Sequence, residues 1–221
     1  MNTRFRDRTE AGERLADQLT AYADKPNVVV LALPRGGVPV GAQVARKLNV
    51  PLDVFVVRKL GLPGHPELAM GAIAIGGVRV INRDVVDGLQ IPELVIDAVV
   101  AQEQEELMRR RHAYRGDLPS PQVRGKTVIL VDDGIATGST MIAAVAALRQ
   151  LGAGRIVVAA PVIARSTFYQ IHNAADEVVT VIVPEEFHGV GQWYEDFSQT
   201  TDEEVRQLLS ETNHQTAPAA A

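Results

Sequence analysis

Cysteine is absent from the 221 residues, which excludes disulfides, thiolate nucleophiles and cysteine-based zinc sites and fits a reducing compartment. Aromatic residues are scarce, at 5% with a single tryptophan, so any place where they gather stands out. No apolar run approaches the ~20 residues of a membrane-spanning helix, and the opening Met1–Glu10 lacks the apolar core of a signal peptide. Nor is there an excess of positive charge. The net charge is −5 and the pI about 5.6, which argues against broad electrostatic binding to nucleic acid or anionic membrane. The expectation is a cytoplasmic protein without nucleic-acid or membrane partners, in which any anionic ligand is held by local donors.

What is present is an ordinary globular balance, 46% hydrophobic and 22% charged, enough for a sizeable core in one domain. Short β-branched runs alternate with helical patterns. Strands are predicted over 28–33, 52–57, 127–131, 156–162 and 177–183, and helices over 9–23, 38–48, 140–151 and from about Ser166. Gly152 suits a helix C-terminus. The segment 69–81 is suited to a hairpin at Gly76-Gly77, 58–68 reads as a loop, and 83–114 as a mostly helical insertion. In that insertion Glu105/Arg109 and Glu106/Arg110 stand at the i,i+4 spacing of a solvated helix. The tail from Thr212 to Ala221 reads as disordered. This alternation predicts an α/β fold with a central, mostly parallel sheet covered by helices on both faces, and a ligand crevice outside the carboxyl ends of its strands. The loops beginning at Pro34, Arg58, Asp132 and Pro184 all follow strands, so they are expected to face one site.

The most informative stretch is Val128-Ile-Leu-Val-Asp-Asp-Gly-Ile-Ala-Thr-Gly-Ser-Thr-Met141. A strand delivers two adjacent carboxylates, Asp132 and Asp133, which can accept hydrogen bonds from a cis-diol or orient water around a hard cation such as Mg²⁺. A phosphate would be repelled there and must sit further along. Ala136, Thr137, Gly138, Ser139 and Thr140 supply successive backbone N–H groups at a helix start, with three hydroxyls beside them.

This segment resembles the PRPP-binding loop of the type I phosphoribosyltransferases, where PRPP is phosphoribosyl pyrophosphate, and the likeness extends over roughly Val28 to Val183. It implies that Asp132 and Asp133 bind the ribose hydroxyls and that Ala136 to Thr140 hold the 5′-phosphate. Arg35, Gly36 and Gly37, in a strand–helix turn, look like the pyrophosphate loop of the same family. The stretch Val56 to Ala69 is similar to the flexible catalytic loop of the orotate branch. By that likeness Lys59 neutralises the leaving group, Arg58 assists, and Glu67, with His65 beside it, closes over the pyrophosphate.

The aromatics gather in Pro184 to Phe197, and flat heterocycles stack on such side chains. The segment resembles the hood of the purine-salvage branch, although the spacing matches only with a shift. The resemblance implies an acceptor pocket at Phe187, Val190 and Trp193, with Glu195 or Asp196 joining Asp132 and Asp133 at the metal. Where hypoxanthine–guanine enzymes carry an acid in the PRPP loop, this chain has Ala136, which cannot exchange a proton. The loop looks more like the adenine and uracil branches, and the whole chain looks closest to a group of phosphoribosyltransferases whose acceptor is not settled.

The resemblance therefore implies a Mg²⁺-dependent enzyme of nucleotide salvage that moves ribose-5-phosphate from PRPP to a small nitrogen heterocycle. A PRPP- or nucleotide-sensing module without chemistry, or a sugar-phosphate phosphatase or phosphorylase, are the alternatives. It further implies one domain over 1–211, with a core over about 25–183, the insertion at about 83–115 and a hood at about 184–211. Dimers are common in the resembled family, and the helix over 91–114 could serve as an arm in a homodimer, although the sequence alone does not give the oligomeric state.

Overall fold

The apolar run Val28–Ala32 is buried at every position and forms β1, the strand around which the fold is organised. In the computed structural model, which describes residues 4–216, β1 lies between two parallel neighbours, β2 (Leu52–Val54) and β6 (Thr127–Val131). Beyond β6 follow β7 (Arg155–Val162) and β8 (Glu177–Ile182), also parallel, giving the order β2-β1-β6-β7-β8. Strands enclosed in this way read as continuous apolar runs because both faces are covered.

The helices supply that cover. From β1 the chain passes through α2 (Gly37–Leu48) to β2 on one side, and from β6 through α5 (Ser139–Gln150) to β7 on the other. Right-handed crossovers running in opposite directions put their helices on opposite faces. Accordingly α1 (Arg8–Asp17) and α7 (Asp202–Thr216) pack with α2, while α6 (Arg165–Ala174) packs with α5. The sheet order reverses between β1 and β6, which are paired from Val28↔Thr127 to Ala32↔Val131. The turns leaving Ala32 and Val131 therefore emerge side by side, tied by Leu33 N–H to the Val131 carbonyl at 2.8 Å.

Between β2 and β6 lies a second sheet of three antiparallel strands, β3 (Val57–Leu62), β4 (His65–Ala74) and β5 (Val78–Ile81). It is followed by α3 (Arg83–Gly88) and the long α4 (Glu93–Arg115). The loop expected at 58–68 is thus largely strand. Its Gly and Pro residues are confined to a turn in which Leu62 pairs with His65, leaving Pro63 and Gly64 (φ +81°) at the two central positions that a type II turn favours. What holds the hairpin down lies elsewhere in the sequence. Leu60 and Met70 are fully buried, and Met70 packs with Val86 and Ile96 of the two following helices.

Three further expectations change. The first helix ends at Asp17 and gives way to a 3-10 turn at Thr20–Tyr22. The segment from Thr212 is not disordered as far as residue 216: α7 continues to Thr216, Thr212 is buried, and Asn213 Nδ2 donates to the Leu52 carbonyl at 2.9 Å. Residues 217–221 lie outside the described residues. The hood expected at 184–211 also divides. Its first part joins the N-terminal segment, with Phe5 N–H donating to the Trp193 carbonyl and Glu195 N–H to that of Phe5, both at 2.8 Å. The part forming α7 packs instead on α2, α4 and β2. Among the described residues no helix is long and apolar enough to cross a membrane.

Candidate active site

At the reversal point between β1 and β6 two turns meet. The turn after β1, Pro34 to Gly37, contains a cis peptide bond between Pro34 and Arg35. It approaches the acid turn so closely that a Cβ on Gly36 would stand 2.0 Å from Asp133 Oδ2. A side chain at Gly36 would have to displace the Asp133 carboxylate. Arg35 is half-exposed, and its guanidinium lies 3.7 Å from Asp202 at the start of α7.

The acid pair is unequal. Asp132 lines the main cleft and its Oδ1 accepts the Asp133 backbone N–H at 2.9 Å. Burial, reinforced by the neighbouring Asp133 charge, lifts the Asp132 carboxyl well above the usual carboxylate range. Asp133 is also raised by burial, with Arg8 pulling the other way. Its Oδ2 accepts Arg8 Nε at 2.8 Å, and its carbonyl accepts the Tyr194 hydroxyl at 2.5 Å.

After the acids the chain crosses to β7 through the Ile135 N–H, which donates to the Val162 carbonyl at 2.9 Å, and then enters α5. Gly138 is the residue before the helix, at φ +74°, and a Cβ on it would meet Thr167 Cγ2 at 2.5 Å. Thr167 also donates its hydroxyl to the Ala136 carbonyl. No side chain caps α5, and Thr137 and Thr140 are exposed, with Ser139 half-buried between them. Thr137 and Ser139 hydroxyls are 3.4 Å apart. An uncapped helix start with exposed hydroxyls is suited to an anion.

The main cleft, about 720 Å³, runs from Pro34, Asp132 and Thr140 under β3 to α4. Arg58 and Lys59 both line it, as do Glu103 and Arg110 of α4. Arg58 is engaged by Glu103, Nε to Oε2 at 2.6 Å, and Arg110 by Glu106 at the same distance. His65 instead borders a separate apolar hollow with Leu68, Leu89 and Ile91. Glu67 belongs to β4, but its side chain lies outside the described residues.

The hood meets the acid turn through Val190 and Tyr194. Val190 rests on Gly134, where a Cβ would come within 2.4 Å of its Cγ1. Phe187 and Trp193 stack on each other with centroids 6.5 Å apart. None of the three lines the main cleft. Glu195 and Asp196 are exposed, and the Asp196 backbone N–H donates to the Arg6 carbonyl at 2.8 Å. Among the described residues no group of three or more His, Asp or Glu is arranged to hold a metal, so Asp132 and Asp133 are not gathered with Glu195 or Asp196 into a protein cage. Sequence patterns point to neither Arg8 nor Glu103, and to Tyr194 only as one of the aromatics gathered in 184–197. Each reaches the site from another part of the chain, and Arg8 looks on its own like an ordinary helix-start cation.

Comparison with known proteins places this arrangement among relatives. A family model described as a phosphoribosyl transferase domain matches residues 4–196. A Mycobacterium tuberculosis protein provisionally named a phosphoribosyl transferase is 45% identical over 217 residues, covering 98% of this chain but 49% of its own length. The chain thus spans about half of that relative. A ribose-phosphate pyrophosphokinase of Pyrococcus furiosus is 46% identical over 65 residues, which is 28% of this chain and 23% of the other. A crystal structure of a Thermus thermophilus protein superposes with a TM-score of 0.86 at 41% identity, covering 94% of this chain and 98% of that one.

Proposed function

The chain belongs to the phosphoribosyl transferase family, and on that premise we propose that it transfers the ribose-5-phosphate of PRPP to a nitrogen acceptor, a nucleobase-type heterocycle, and releases pyrophosphate. The observation that carries this reading is the uncapped start of α5, with Thr137, Ser139 and Thr140, placed directly after the acid turn at the reversal of the sheet. Carboxylates for a diol and N–H groups for a phosphate stand in the order that a ribose 5-phosphate presents them.

The diphosphate half of the donor is served by Arg35 and the turn Gly36-Gly37 on one side and by Lys59 on the other. The acceptor nitrogen forms its bond to C1′ as the C1′–O bond breaks and that electron pair leaves with pyrophosphate. Positive charge grows on the ribose as negative charge grows on the leaving group, so fixed cations beside the latter supply much of the acceleration. Arg58 assists once it is released from Glu103. Ala136 offers no proton-transferring side chain; its carbonyl accepts from Thr167.

Mg²⁺ fits this donor set as a companion of the substrate, since it is typically bound through one or two carboxylates together with substrate phosphates and water. Of the acid pair, Asp132 is the carboxylate that borders the cleft. Bound there, the ion would neutralise charge on the diphosphate. The acceptor is assigned to the hood side of the acid turn, near Phe187, Val190 and Trp193.

A complex with PRPP and Mg²⁺ tests the donor site. The 5′-phosphate is expected on the N–H groups of 137–140 and the diphosphate between Gly36 and Lys59; a phosphate bound elsewhere would refute the assignment. Saturable PRPP binding without turnover would favour a sensing module instead, and inorganic phosphate as product would favour a phosphatase or phosphorylase.

A further inference from the structure

Arg8 opens α1, yet its side chain hydrogen-bonds to distant parts of the chain. Its Nε donates to Asp133 Oδ2 at 2.8 Å and its NH1 to the Ser198 carbonyl at 2.7 Å. Its guanidinium carbon lies 4.0 Å from the centroid of the Phe197 ring and 5.9 Å from that of Tyr194. Only 12% of the Arg8 side chain and 13% of the Asp133 side chain are exposed. An ion pair so enclosed gives little net stability, because desolvating both partners offsets most of their attraction. Its geometry is the more informative property. The Asp133 carboxylate is held against the Gly36 turn, with Tyr194 fixing its carbonyl, while Asp132 is the member of the pair that lines the cleft.

We propose that Arg8 is a positioning residue that fixes the Asp133 carboxylate and the acid turn in the geometry that meets the ribose. The proposal rests on the reading of the site as a ribose-phosphate site and deepens it. Arg8 acts through Asp133 and touches no substrate. Its removal lets the Asp133 side chain swing and the acid turn shift, so the sugar half of the ligand loses its seat. The diphosphate half, bound by Arg35 and Lys59, does not.

The test titrates the full chain and its variants with ribose 5-phosphate and, separately, with inorganic pyrophosphate, by calorimetry. Arg8→Gln is expected to weaken ribose 5-phosphate by about tenfold while changing pyrophosphate by less than about twofold, and Asp133→Asn to do the same. The double variant should be no worse than the more affected single one, since both changes break one link. Arg8→Lys keeps the charge but not the fork to Asp133 and Ser198, and should fall between wild type and Arg8→Gln. If Arg8→Gln does not fold, as judged by circular dichroism, the Lys variant alone decides. Wild-type affinity for ribose 5-phosphate in the folded Arg8 variants, equal losses for both ligands, or multiplying losses in the double variant would overturn the proposal. A wild-type protein that binds neither PRPP nor ribose 5-phosphate would overturn it together with the functional reading.

Discussion

Arg58 on β3 and Glu103 on α4 hold each other at the wall of the cleft, Nε to Oε2 at 2.6 Å, with 29% and 19% of their side chains exposed. A diphosphate entering the cleft must compete with Glu103 for that cation. Glu103→Gln is therefore expected to lower the dissociation constant for pyrophosphate by about three- to tenfold, because a neutral amide competes less well than a carboxylate. The change in stability should stay within about 1 kcal/mol, as for other partly exposed pairs. Calorimetry with pyrophosphate and thermal unfolding read the two effects separately.

Gly138 sits at φ +74° with Thr167 pressed against it. Gly138→Ala should cost at least about 1–2 kcal/mol from the left-handed backbone alone. It should also move the N–H groups at the start of α5, so that PRPP binding falls more steeply than stability does. Denaturant unfolding and PRPP titration of the same preparation provide the comparison.

Asp132 carries the clearest conflict between folding and function. Its folded pKa is raised, first by burial and then by the Asp133 charge. A carboxyl of this kind binds its proton more tightly in the native state. The stability it contributes is complete below the unfolded value of about 3.9 and is lost as pH rises through the folded one. Asp132→Asn, which preserves an acceptor for the Asp133 N–H, is thus expected to raise the melting temperature at neutral pH and to flatten its decline with rising pH. The same variant should abolish transfer. Unchanged or lower stability at neutral pH would contradict the assignment of strain to this carboxylate.

Arg115 is a contrasting case, away from the chemistry. Its side chain is 5% exposed and pairs with Asp53, whose carboxyl is raised by burial and drawn back down by the Arg115 contact. Arg115→Ala should destabilise the protein by about 3 kcal/mol, the penalty for stranding one half of a buried pair. Chemical denaturation measures that loss, and turnover per folded molecule is expected to remain at the wild-type level.

The parts of the site that are legible in the sequence are those that are contiguous. A buried strand, two acids, a small-residue turn and a hydroxyl-rich helix start follow one another from Val128 to Thr140, and local rules suffice to place them. Arg8 is 125 residues from Asp133 and Glu103 is 45 from Arg58. No periodicity links them, and only the packing of α1 and α4 brings them in. The segment around Gly61, Pro63 and Gly64 reads as a mobile loop because local propensity sees the turn residues. It does not see that Leu60 and Met70 find buried partners on other elements. Thr212 likewise belongs to a polar, Ala-ending stretch whose composition suggests disorder, but the contact of Asn213 with Leu52 extends α7 through it.

The central claim is transfer from PRPP with departure of pyrophosphate, and the most direct measurement is pyrophosphate release from PRPP and Mg²⁺ by the folded protein across purines, pyrimidines, orotate and pyridine carboxylates. The account predicts release that depends on one acceptor class and is lost in both Lys59→Ala and Asp132→Asn. No release with any acceptor, from protein that binds PRPP saturably, would contradict it.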